Sequence, residues 1–187
     1  FIASYGISLE KITLLVTINF GIQLVVDFLS ARFVDKIGYK VSVVAAHVLA
    51  AAGLAGLGIL PDLLPDPYVG MLISIFFYAI GGGLIEVLIS PIVEACPFDQ
   101  KSAAMSLLHS FYCWGHVAVI LVSTLFFALA GIHNWRILSF IWALVPLLNA
   151  LYFCLVPVRS LNEDGQGLSV KELLSGKLFW IFAITMV

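Results

Sequence analysis

The sequence predicts an all-α membrane protein, a bundle of several helices that each cross a bilayer. Three observations predict it. Of the 187 residues, 62% are hydrophobic and only 11% charged, with a mean hydropathy of +1.12, whereas a soluble domain carries roughly 25% charged residues. The apolar residues are gathered into runs of about the 20 residues that a helix needs to cross the hydrocarbon core. Short polar turns separate the runs. Buried helices of a soluble protein are the weaker explanation for five such runs in succession, because the chain lacks the polar surface to cover them.

Span A covers about residues 12–31, span B 41–60, span C 68–95, span D 103–130 and span E 135–156, and a span F starts near Leu178. Connections are short except for the polar stretch between E and F. The expected organisation is a transmembrane bundle over 1–157, a linker over 158–177 and the start of a further transmembrane unit over 178–187. The chain opens in mid-phrase with "FIASYGISLEK" and stops inside the apolar run "LFWIFAITMV", so transmembrane sequence is expected beyond both ends.

Lys and Arg set the orientation, because cytoplasmic loops carry the excess of them. Arg32, Lys36, Lys40, Lys101, Arg159, Lys171 and Lys177 fall on one side, and Lys11 and Arg136 on the other. Residues 32–40, 96–102 and 158–177 are therefore expected in the cytoplasm, in a multi-pass protein of the cell membrane. The B–C turn "PDLLPDP" carries only acids, which suits the outer side.

Span A places Asn19, Gln23 and Asp27 at i, i+4 and i+8, on one helical face. Asp27 either pairs with Arg32 or lines the pathway. After span A comes "ARFVDKIGYK", Ala31 to Lys40, in which Gly38 permits a tight reversal. Asp35 can accept hydrogen bonds from amides at a neighbouring helix N-terminus, where the dipole favours an anion. In span B, His47 stands alone among alanines and reads as a helix-packing residue. In span C, Gly81, Gly82 and Gly83 allow close helix approach, and Pro91 removes a backbone donor. Glu86 sits well inside this span, with Ser90 one turn on, and Glu94 lies near its cytoplasmic end. Intramembrane charges are expensive and face a cavity or a partner.

Span D carries Ser102, Ser106, His109, Tyr112, Cys113 and His116. Spacings of three, four and seven put most of them on one face, expected toward the bundle interior. Trp135 starts span E as an interfacial anchor. Ser169 and Glu172 in "LSVKELLSGK" form a capping-box pattern that predicts a short amphipathic helix before span F.

No metal site is expected. His109 and His116 are about 10 Å apart along a helix axis, and Cys96, Cys113 and Cys154 lie far apart in apolar surroundings and read as packing residues. A net charge of −2 gives no reason to expect nucleic acid. No nucleophile with its base, and no paired acid and base at one depth, points to an enzyme. No cofactor is expected.

"ARFVDKIGYK" resembles the signature loop of the major facilitator superfamily, Gly-x-x-x-Asp-Arg/Lys-x-Gly-Arg-Arg/Lys. Asp35, Lys36, Gly38 and Lys40 match, while Ala31 stands where Gly is usual and Tyr39 where Arg is usual. The resemblance implies that the loop joins the second and third of twelve transmembrane helices and latches the two halves together on the cytoplasmic side. Spans A to E then correspond to helices two to six, 158–177 to the central linker and span F to the start of helix seven. The expected fold is the N-terminal half of such a transporter without helix one.

"Glu86 … Ser90-Pro91" after a Gly-rich run resembles a narrower subgroup, the fucose-permease-like proton:sugar symporters, whose fourth helix carries Glu-x-x-x-Asn-Pro. There the glutamate takes part in proton coupling with an acidic residue on helix one. Gln and Asn are usual in that subgroup where His109 and Tyr112 fall here. Phe77 stands where many members of the superfamily carry an Arg on helix four, which points away from the antiporters that rely on it. The resemblance implies a secondary active transporter working by alternating access, its partners a small-molecule substrate, protons and the lipid bilayer, and monomeric when full length. Glu86 would carry the proton, and Asn19, Gln23, Ser90, His109, Tyr112 and His116 would meet a sugar or related polar metabolite. The alternatives are efflux of apolar compounds, or a receptor or scaffold that keeps the fold without transport.

Overall fold

The computed structural model describes residues 2–159 and 170–185, in which every regular element is a helix. In chain order they are α1 (Ile2–Tyr5), α2 (Leu9–Ile37), α3 (Tyr39–Leu63), α4 (Pro67–Glu94), α5 (Lys101–Ala130), α6 (Trp135–Leu155), α7 (Val170–Ser175) and α8 (Lys177–Thr185), with a single 3-10 turn at Ile132–Asn134 before α6. Five of them are long and apolar enough to cross a membrane, over Leu9–Ser30, Tyr39–Leu63, Pro67–Glu94, Lys101–Ala130 and Ile132–Leu155. The protein is an all-α, multi-span bundle.

Local chemistry fixes the helix ends. The Ser8 side chain accepts from the Lys11 amide at 3.4 Å, and the Asp66 carboxylate from the Tyr68 amide at 2.9 Å, each satisfying a donor that the first turn leaves free. Pro67 follows Asp66 at a position where a missing N–H costs nothing. Between α2 and α3 the expected loop over 32–40 is almost entirely helical. Asp35 and Lys36 belong to the last turn of α2 and Lys40 to the first turn of α3, with Gly38 alone between them. Gly38 has φ +95°, open to glycine and strained for other residues. Around α7, Ser169 lies outside the described residues, so its expected cap does too. The Ala31 and Arg32 side chains also lie outside the description.

These short connections make α2 and α4 run in the same direction, with α3 antiparallel to both. α3 packs along α4 on one side and α6 on the other, and α2 packs on α4, giving a row α2–α4–α3–α6. Inside a bilayer no hydrophobic force draws helices together, so close packing must hold the row. Small residues provide it. A Cβ on Gly53 of α3 would lie 2.6 Å from the Ser74 carbonyl oxygen, and one on Gly81 of α4 would lie 2.6 Å from the Ala46 carbonyl oxygen. The α3 and α4 backbones therefore touch. His47 is buried, with Nδ1 2.7 Å from the Val43 carbonyl oxygen and its ring 5.2 Å from that of Phe153 on α6, the packing role its surroundings predict.

α5 lies at the margin, joined to α6 by the Trp142 indole, which donates to Ser123 Oγ at 3.1 Å. None of its residues is buried. Cys113 on α5 and Cys154 on α6 are exposed, and Cys96 is half-buried. Cys113 and Cys154 are thus not the packed residues their apolar neighbourhood suggests, since in a membrane protein apolar neighbours occur on the outer surface as well as inside.

Candidate functional site

The α2–α4 seam brings Gln23, Asp27 and Glu86 near one another. The run Gly81–Gly82–Gly83 serves two neighbours at once. Gly81 meets α3, whereas a Cβ on Gly82 would lie 3.0 Å from Gln23 Nε2 and one on Gly83 would lie 3.3 Å from Gln23 Cα and Val26 Cβ. Because the two helices are parallel, one further turn along each brings Asp27 level with Glu86, and the two carboxylates act on each other electrostatically. Asp27 is half-buried, and its Oδ1 is buried without a hydrogen-bond partner among the described residues. Glu86 lies exposed on α4, and Ser90 is half-buried one turn on. The expected Asp27–Arg32 pair falls on a side chain outside the description.

The other predicted residues go elsewhere. His109, Tyr112 and His116 are exposed on α5. Tyr112 and His116 stack on each other with centroids 4.5 Å apart, and His116 Nδ1 lies 3.1 Å from the Tyr112 carbonyl oxygen. Among the described residues nothing joins them to α2 or α4. Asn19 is half-buried in a different place, a cleft between α2, α3 and α4. Among the described residues no group of three or more His, Cys, Asp or Glu gathers as a metal site would.

At the α2–α3 turn, Asp35, Lys36 and Lys40 are exposed. The Asp35 carboxylate and the Tyr39 phenol, one turn on across Gly38, act on each other electrostatically. Here the residue that replaces the usual Arg engages the signature acid. Glu94, near the end of α4, pairs with Lys101 at 3.5 Å across the α4–α5 turn.

The opposite end of the row holds a cluster that sequence reasoning missed. Arg136 Nη2 donates to Asp62 Oδ1 at 2.9 Å and lies 2.8 Å from Oδ2, and the Tyr5 hydroxyl donates to Asp62 Oδ1 at 2.7 Å while accepting from Arg136 at 2.9 Å. Trp135 completes it, edge-on to Tyr5 at 6.4 Å and 5.4 Å from the Arg136 guanidinium carbon. Partial burial, and then the hydrogen bond to Asp62, raise the Tyr5 phenol above its ordinary value, while Arg136 opposes them. The one available signal was an acid and a base both assigned to the same side of the membrane.

Comparison with curated proteins and with solved structures found no match. A family model described as Major Facilitator Superfamily matches residues 1–187, the whole chain. With five helices long and apolar enough to cross a membrane, and that match over the whole chain, the chain belongs to the Major Facilitator Superfamily.

Proposed function

We propose that this chain, a secondary transporter by its family, is the N-terminal half of a proton-coupled symporter for a sugar or related polar metabolite, similar to the fucose-permease-like subgroup. It works by alternating access in the cell membrane, with 32–40, 96–102 and 158–177 in the cytoplasm. The observation that carries the reading is the pair Asp27 and Glu86 at one level of the parallel α2–α4 seam, with Gln23 one turn away.

A proton bound at Glu86 removes the repulsion between the two acids and makes Glu86 a hydrogen-bond donor. A solute hydroxyl accepts from that donor, with Gln23 and the Ser90 hydroxyl as further partners. Once the site opens to a more alkaline cytoplasm the proton leaves, the donor is lost and the solute is released. Binding and protonation favour the same state, which is what coupling requires.

The test is Glu86→Gln in the full natural chain, reconstituted into proteoliposomes and assayed with a panel of labelled hexoses and deoxyhexoses. Glutamine mimics the neutral acid, so counterflow should persist while accumulation driven by a pH gradient falls to the level of empty vesicles. Accumulation at the wild-type level would remove Glu86 from the coupling step.

A further inference from the structure

We infer that Gly82 positions the Gln23 amide beside Glu86 and is thereby a specificity-determining residue for a neutral, hydroxyl-bearing solute. The role rests on the reading of the α2–α4 seam as the place where a polar solute binds. What carries it is the difference between Gly82 and the two glycines beside it.

Gly81 and Gly83 are buried, whereas Gly82 is half-buried. A Cβ on Gly81 would lie 2.5 Å from the Ala50 backbone nitrogen, and one on Gly83 would lie 3.3 Å from Gln23 Cα and Val26 Cβ. These two glycines set the distances between helices, Gly81 toward α3 and Gly83 toward α2. Gly82 is different. Beyond its own turn of helix, a Cβ there would meet one atom within 4 Å among the described residues, Gln23 Nε2 at 3.0 Å. The end of a polar side chain from α2 fills the space that a side chain at 82 would take.

Gln23 is half-buried, and among the described residues no hydrogen bond holds its amide. Shape alone therefore places it: the gap at Gly82 lets the amide lie against α4. Gly82, Glu86 and Ser90 follow one another at i, i+4 and i+8 on α4, on one helical face and about 6 Å apart along the axis. With the Gln23 amide lying at Gly82, that face carries an amide, a carboxyl and a hydroxyl in a row. A carboxamide offers a donor and an acceptor without a charge. A hydroxyl, itself both donor and acceptor, completes that offer. Any side chain at 82 displaces the amide, and the row then begins at Glu86.

Counterflow by the full natural chain in proteoliposomes, measured with the same labelled hexoses and deoxyhexoses, tests the inference. Gly82→Val should raise KM about three- to tenfold, the worth of one neutral hydrogen bond. Its kcat should stay within about twofold, since the lost contact is a binding contact. Gly82→Ala, whose Cβ meets only the flexible end of a side chain, should raise KM by less and leave the thermal midpoint in place. Gly81→Ala, which meets backbone, should lower that midpoint. Gln23→Ala should raise KM as far as Gly82→Val does, and the double variant should be no worse than either, because Gly82 acts through Gln23. An unchanged KM in both Gly82 variants, or additive losses in the double variant, overturns the role of Gly82 and leaves the symport reading standing. If the wild type counterflows no member of the panel, the reading of the seam fails and the role of Gly82 falls with it.

Discussion

Arg136 and Asp62 lie 74 positions apart in the chain and meet in one salt bridge with Tyr5. Both charged side chains remain nearly half exposed, at 44% and 46%. Solvent and salt therefore screen the pair, and it contributes about 0.5–1 kcal/mol. Its value lies in what it connects: the segment before α2, the end of α3 and the start of α6. Asp62→Asn should lower stability by about that amount, and so should Arg136→Gln. The double variant Asp62→Asn/Arg136→Gln should lose less than the sum of the two single losses, the shortfall read as a coupling energy in thermal unfolding. Full additivity of the two single losses would show that the groups do not interact. Tyr5 adds a pH dependence of known sign. Its folded value is raised, so the stability it confers is complete below about pH 10, where the unfolded tyrosine stays neutral, and is lost as pH rises through the higher folded value. In Tyr5→Phe that alkaline loss should shrink.

At the scale of elements, glycine spacing separates the helix that packs from the helix that does not. Gly53 sits where α3 touches α4, with backbone atoms 2.6 Å from any Cβ placed there, whereas Gly115 on α5 has nothing within 4 Å. Gly53→Ala should force the helices apart and cost about 1–3 kcal/mol. Gly115→Ala should be neutral or should stabilise, by up to about 1 kcal/mol, through helix propensity alone. Comparing the two midpoints in a denaturation series checks both, and equal effects would remove the seam from the account of stability. This contrast also marks what was legible beforehand. The five spans, Gly38 as the turn residue and the Gly81–Gly83 run could be read because length, charge and small side chains each leave a local mark. The inward face of α5 could not. In a bilayer both faces of a helix are apolar, so a polar stripe such as His109–Tyr112–His116 carries no information about which neighbour it meets, and here it is exposed. Asn19, Gln23 and Asp27 share a stripe too, yet Asn19 enters the α2–α3–α4 cleft while Gln23 meets Gly82. The divergence comes from α4 approaching α2 along only part of its length, which no periodicity in α2 encodes. The cluster of Tyr5, Asp62 and Arg136 was illegible because it needs three segments to converge.

At the scale of the whole molecule, the row α2–α4–α3–α6 has two chemically different ends. One carries Asp62, Asp66, Arg136 and Lys11; the other carries Asp35, Lys36, Lys40 and Lys101 around the Gly38 and α4–α5 turns. The excess of Lys and Arg at the second end predicts that it faces the cytoplasm, and the sense of transport depends on that orientation. Single cysteines test it in intact cells. The native Cys96, Cys113 and Cys154 are first replaced, since Cys113 and Cys154 are exposed and would react in their own right. Pro65 is the better reporter for the first end, because it is exposed and leaves the Asp66 cap of α4 intact. Lys40 serves the second, because it is exposed and spares Gly38, whose φ of +95° would strain a cysteine. An impermeant maleimide should label Pro65→Cys and leave Lys40→Cys unlabelled until the membrane is permeabilised. Labelling of Lys40→Cys in intact cells, with Pro65→Cys silent, would invert the bundle. Glu86 would then release its proton to the outside, and the proposed symport into the cell would have to run outward.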